Sequence, residues 1–218
     1  MYNNRLRQRG VTIVELIMFI VIVGVAAAGI LQVMNLTSRN STDPIRRKQA
    51  TLIAEAYMEE LQQAQFTACD PNDQNAGTAS NSAVNPNDVR FCAANGTVER
   101  FGPENGNARP FDNVNDYVPV NYVEGTSVRA FAVADANGVL VDRDASGAPL
   151  GAALGVPLTN FVTTLALRNT TLNGIASPAI ANPNADMTVL LITITVAYGP
   201  GESVVLEAYR TRYAPESI

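Results

Sequence analysis

Polar and apolar positions divide the chain into four stretches. Residues 1–10 are polar and basic, with Arg5, Arg7 and Arg9 ahead of Gly10. From 16 to 31 every residue is apolar or glycine, and Val11, Ile13 and Val14 extend the run to about 20 residues, enough to cross a hydrocarbon core of ~30 Å. Residues 45–65 change to a helical period: Leu52, Ile53, Ala56, Tyr57, Leu61 and Ala64 recur at spacings of three and four, with Arg46, Arg47, Lys48, Glu55, Glu59 and Glu60 between them. Residues 66–125 lose periodicity and fill with Asn, Asp, Gly and Pro, which predicts loops.

Strand patterns follow. Residues 128–134 and 139–141 flank Asp135-Ala136-Asn137-Gly138, a hairpin turn in which Asn-Gly supplies positive φ. Residues 161–168 alternate, with Phe161, Thr163, Leu165 and Leu167 on one face. Residues 187–198 are long and β-branched, and Gly199-Pro200-Gly201 turns them into 203–213. The expectation is an α+β fold: a long N-terminal helix packed against an antiparallel sheet of at least four strands. Residues 169–186 read as a long surface loop. Between the apolar run and the amphipathic stretch, Asn40-Ser41-Thr42-Asp43-Pro44 is a potential break, because the residue before proline avoids helical angles. A break there and an unbroken helix both remain open.

Composition narrows the function classes. The chain has 218 residues, 47% of them apolar and 16% charged, with a formal net charge of -5. Without Arg5, Arg7 and Arg9, 12 of the 15 basic residues remain against 20 acidic ones, a balance of -8. An acidic surface repels phosphate backbones, so nucleic acid is not an expected partner. There is no histidine, which removes histidine triads, histidine bases and histidine metal ligands. No nucleophile elbow, phosphate-binding glycine motif or catalytic carboxylate pair is recognisable, so no enzyme activity and no cofactor are expected.

One residue does not suit a plain membrane anchor. Glu15 lies near the start of the apolar run, where an unpaired carboxylate costs up to about 2.5–3.5 kcal/mol at the membrane centre and less towards the interface. It either reaches the headgroups or has a partner. Its surroundings, Arg9-Gly10-Val11-Thr12-Ile13-Val14-Glu15-Leu16, resemble the type III signal of type IV prepilins: a short basic leader ending in Gly, then an apolar residue, a Thr-Ile-Val-Glu core and a long apolar helix. The resemblance implies cleavage by prepilin peptidase between Gly10 and Val11, and N-methylation of Val11. It also implies a pairing of Glu15 with the new amino terminus of a neighbouring subunit, strong in low dielectric. Two positions depart from the usual family pattern: Val11 stands where Phe is common, and Gln32 where many major pilins carry a bending proline. The second leans towards a minor pilin or a secretion-system pseudopilin.

Residues 42–61, the run Arg109-Pro110-Phe111-Asp112-Asn113-Val114-Asn115-Asp116-Tyr117 and the closing Glu207-Ala208-Tyr209-Arg210-Thr211-Arg212-Tyr213 are similar to minor pilins of the mannose-sensitive haemagglutinin (MSHA) pilus, of the D type. The implied organisation is a leader at 1–10, a membrane and filament-core helix at 11–36, a spine helix at 37–65 and a β head at 66–218. Arginines before the span and none inside it set the N-terminus in the cytoplasm and the head outside. The implied partners are other pilins of the filament, prepilin peptidase and the inner membrane, with an extracellular pilus as destination. Ala26-Ala27-Ala28 before Gly29 offers a competing conventional signal-peptidase site, although Glu15 interrupts the apolar core that site needs.

Cys69 and Cys92 bracket a polar insert. In an oxidising compartment they are expected as a disulfide, which contributes roughly 3 kcal/mol by closing a loop of this length. Asp70, Asp73, Asp88, Asp135, Asp142 and Asp144 raise a calcium hypothesis, but their spacing fits no EF-hand and suits turn chemistry, so no metal is expected. Three functions stand: a minor pilin that initiates, assembles or decorates a filament; a type II secretion pseudopilin, which shares the signal and helix; and an adhesin whose head binds a surface glycan.

Overall fold

The computed structural model describes residues 10–79, 83–104, 108–155, 158–176 and 187–212. The expected leader, apart from Gly10, most of the 169–186 loop and the end of the last strand at Tyr213 lie outside them. The chain forms two compact units, Met1–Arg46 and Arg47–Ile218.

Helix α1 runs from Ile13 to Gln63. Pro44 lies inside it, so the potential break at residues 40–44 does not end the helix. Proline has no N–H to donate back to the preceding turn, and the helix passes through with that hydrogen bond missing. In the first unit, residues 13–34 form a 22-residue segment long and apolar enough to cross a membrane, with none of it buried. At 1.5 Å per residue it spans about 33 Å.

In the second unit the same helix is amphipathic, but its buried stripe is not the one the spacing suggested. Ala50, Ile53, Ala54, Tyr57, Met58, Leu61 and Ala64 are buried, whereas Leu52 and Ala56 are exposed. The apolar residues of this stretch make two stripes, and only the Ile53–Tyr57–Leu61–Ala64 stripe faces the core. Leu52 and Ala56 line an open cleft of about 590 Å³ with Glu59, Pro110, Phe111 and Leu150.

The core is completed by a three-stranded antiparallel sheet in the order β3-β6-β7: β3 (Val162–Asn169), β6 (Val189–Gly199) and β7 (Glu202–Thr211). Rows of side chains cross it in register, Leu165–Ile194–Leu206 and Leu167–Ile192–Ala208. Phe161, Thr163, Leu165 and Leu167 are all buried, as the alternation predicts. The β6–β7 hairpin closes through Gly199-Pro200-Gly201 with a bulge between Ala197 and Gly199, and Gly201 takes the positive φ of 74° that the turn requires.

At least four strands are expected in the sheet; among the described residues three pair in it, and 128–134 does not join it as a strand. Val128 joins Leu165 of β3 by a single two-way backbone bridge. The chain then leaves to make a separate ribbon, β1 (Ala132–Ala134) with β2 (Leu140–Asp142). Its turn also differs from the expected one. Gly138 alone has positive φ, and Asp135 Oδ1 accepts from the backbone N–H groups of Asn137 and Val139 at 2.8 and 2.9 Å. That is a type I turn ending on a left-handed glycine. A second small ribbon, β4 (Thr171–Leu172) with β5 (Ile175–Ala176), follows β3.

The end of α1 has no basic residue of its own in its last turn. Arg210 of β7 supplies donors from a distance, to the carbonyls of Gln62 and Ala64 at 2.9 and 2.7 Å. These are among the carbonyls that a helix terminus leaves without partners.

Candidate functional site

Gly10 and Val11 are exposed and lie just ahead of α1. The Thr12 hydroxyl accepts from the Glu15 backbone N–H at 3.3 Å. Thr12 is thus the N-cap and Glu15 the third helical residue, the residue spacing of a capping box with its Thr half formed. The Glu15 carboxylate also sits in the first turn, where the positive end of the helix dipole favours it. The Thr-x-x-Glu spacing at residues 12–15 therefore starts the helix. Glu15 is exposed, and so are Ile13, Val14, Leu16, Ile17, Phe19 and the apolar residues that follow to Met34.

Cys69 and Cys92 form the expected disulfide, with Cα atoms 5.5 Å apart. Both are fully buried in a small core with Ala68, Ala79 and Val98, separate from the main one. Around it the aspartates of the insert act as turn acceptors. Asp70 Oδ1 accepts from Asn72. Asp73 accepts from the Asn75 and Ala93 amides at 2.7 and 2.9 Å and from the Thr97 hydroxyl. Asp88 pairs with Arg90 at 2.6 Å, which holds its carboxyl down at about 2. Asp144 accepts from Ser146 and Ala148. Asp142 is buried, bonded to Arg129 at 2.8 Å and to the Thr163 N–H of β3 at 2.8 Å. The carboxylates that raised the calcium hypothesis are thus each engaged in a separate local structure.

Two buried polar groupings escaped the sequence. The first links the helix to the loops. Glu60 receives two parallel hydrogen bonds from Arg109, each 2.6 Å, and a third from the Tyr117 hydroxyl at 2.9 Å. Arg109 also donates to the Arg143 carbonyl at 2.6 Å and lies over the rings of Tyr57 and Phe131, which stack 4.0 Å apart. Burial, with Glu60 beside it, raises the Tyr117 hydroxyl above its ordinary value and keeps it a donor. Glu60 is legible only as part of an acidic helix face; its partner lies 49 residues away.

The second grouping is a pocket of carboxylates. Glu99 follows Val98, whose bridge to Cys69 fixes it beside the disulfide. Asp116 lies in the 3-10 turn Val114–Tyr117, capped by Asn113. Glu104 is half-buried between them, and one oxygen from each of the three lies within 4.8 Å of the others. Glu99 is fully buried and neither of its carboxylate oxygens has a hydrogen-bond partner. Burial first, and then the neighbouring Asp116 and Glu104 charges, push the Glu99 carboxyl up to about 10. Burial, Glu104 and Asp112 push Asp116 up to about 8. The loop is held in shape by Gly102, whose φ of 101° places its Cα where a Cβ would meet the Val120 backbone at 2.6 Å. No periodicity marks Glu99 as an inward residue, because loop 66–125 is organised by distant hydrogen bonds such as Gln65 N–H to Asp112 and Val114 N–H to Gln65.

Comparison of the chain with models of protein families, with curated proteins and with solved structures returns no match.

Proposed function

We propose that the chain is a type IV pilin-like subunit, a minor pilin similar to the D-type subunit of the MSHA pilus. In this reading it is held in the inner membrane by the start of α1 and then built into an extracellular filament through the same helix. The observation that carries the reading is the first stretch of α1. It presents an exposed apolar surface on every side from Ile13 to Met34, and it begins at the Thr12–Glu15 cap directly after Gly10-Val11. A helix apolar all round needs lipid or other helices around it. Small residues such as Gly24, Ala26, Ala27, Ala28 and Gly29 suit close helix packing.

The proposed chemistry follows from the cap. Cleavage after Gly10 leaves a cationic amine on Val11, one residue before the N-cap, where it adds to the positive end of the helix dipole. A neighbouring subunit's Glu15 then finds a positive partner in low dielectric, and the pairing sets axial register between subunits. The test is the N-terminal sequence and intact mass of the protein from membranes of its native host. The expected chain starts at methylated Val11, and at Met1 when prepilin peptidase is absent. A chain that starts at Gly29, or one that keeps Met1 in the presence of the peptidase, overturns the reading.

A further inference from the structure

We propose that Glu99, Glu104 and Asp116 bind a calcium ion in the head. Ligands on one calcium ion sit 2.3–2.6 Å from it, so any two of them are at most about 5 Å apart. The three carboxylate oxygens, all within 4.8 Å of one another, meet that bound without rearrangement. The second observation is Glu99 itself. It is fully buried, its oxygens have no hydrogen-bond partner, and one of them faces the other two carboxylates. A buried carboxylate without donors is costly, and a cation at the meeting point of the three supplies what the protein does not.

The donor set selects the metal. It is all oxygen. The chain has no histidine and both cysteines are bound to each other, so the nitrogen and sulfur donors that favour zinc or copper are absent here. Magnesium keeps several waters and uses one or two carboxylates, whereas calcium tolerates an irregular set of protein oxygens. Three carboxylates converging in a largely dry pocket therefore favour calcium. Glu104, half-buried, opens the site to solvent, and Asp70 and Asp112 add negative potential at Glu99. The bound ion would tie the disulfide-bearing loop to the 3-10 turn Val114–Tyr117. This inference concerns the head alone and stands whether or not the filament reading holds.

The test uses the full chain in detergent, stripped with chelator and titrated with calcium chloride by calorimetry, with thermal unfolding in parallel. One equivalent is expected to bind. At a hundredfold excess over the dissociation constant, the midpoint should rise by about 5–10 °C, and magnesium at the same concentration should give less than about a third of that rise. Glu99→Gln and Asp116→Asn keep the shape of the pocket and should each weaken calcium binding at least about tenfold, with no loss of stability in chelator. Asp88→Asn, on an exposed ion pair elsewhere, should bind as the parent does. Absence of binding at millimolar calcium, equal responses to magnesium and calcium, or undiminished binding by the Glu99 and Asp116 variants overturns the proposal. Should either variant fail to fold, the titration of the parent chain decides alone.

Discussion

Removing the Glu60 carboxylate tests how the helix is fastened to the loops. In Glu60→Ala, Arg109 keeps its bond to the Arg143 carbonyl but loses both bonds to Glu60, and the Tyr117 hydroxyl loses its acceptor. The side chains of Arg109 and Glu60 are only 14% and 9% exposed, so water does little to replace them. Breaking a buried pair by deleting one partner costs about 3–5 kcal/mol because the other charge stays behind uncompensated. The bond that Arg109 retains and the rings of Tyr57 and Phe131 that cover it place the expected loss at the lower end, about 3 kcal/mol. For a chain of this size that is a fall of roughly 6–12 °C in Tm. The chain lacks tryptophan, so near-ultraviolet dichroism of its tyrosines during heating in detergent is the suitable signal. The double replacement Glu60→Leu with Arg109→Met removes both charges and should recover most of the loss, to within about 1.5 kcal/mol of the parent. A single replacement that shifts Tm by less than about 2 °C, or a double one that falls as far as the sum of the singles, refutes the buried-pair account.

Two further outcomes are expected. Burial alone would raise the Asp73 carboxyl, but hydrogen bonds from Thr97 and the Asn75 and Ala93 amides outweigh it and hold it below its ordinary value of 3.8. A depressed carboxyl stabilises above its unfolded value, and that contribution disappears as pH falls through the folded one. Thermal unfolding between pH 2 and 7 should therefore show a loss below about pH 4 that is reduced in Asp73→Asn, and an unchanged slope in that variant counts against the assignment. Gly102→Ala combines a φ of 101° with a Cβ placed 2.6 Å from the Val120 backbone. It should cost about 2 kcal/mol or more in urea unfolding, and a neutral result would mean the loop does not hold this conformation.

Features set by local pattern were legible in the sequence. The 13–34 segment announces itself by a long apolar run, β3 by alternation of side chains, β6 by its β-branched composition and β7 by the Gly-Pro-Gly turn before it, each strand within about two residues of its observed bounds. The disulfide followed from there being two cysteines and an expected oxidising compartment. The spine stripe was partly misread because Leu52 and Ala56 satisfy the helical period as well as Ala54 and Met58 do; only the position of the core distinguishes them. The strand pattern at 128–134 misleads for a related reason. Residues 128–134 carry strand composition throughout, yet pairing stops at Val128: the bridge to Leu165 is antiparallel, so the next donor along β3 is the Thr163 N–H, and Asp142 Oδ2 takes it at 2.8 Å. The carboxylate pocket and the Glu60–Arg109 pair were illegible, since each is defined by chain segments that meet only after the loops have folded.

The clamp from Arg210 to the end of α1 has a mechanical consequence. Near its end the helix carries two side-chain grips besides its packing: the carbonyls of Gln62 and Ala64 are held by a guanidinium from β7, and Glu60 is held by Arg109. Force is thereby shared with the sheet edge and the 109–117 loop before it can lengthen the covalent chain that follows the helix. Beyond Gln65, that chain soon reaches Cys69, and the disulfide to Cys92 withholds the segment between the two cysteines from extension even after the clamps rupture. Under pulling, the helix end should fail by shear at identifiable side chains, and the segment enclosed by the disulfide should add no length until that bond is reduced.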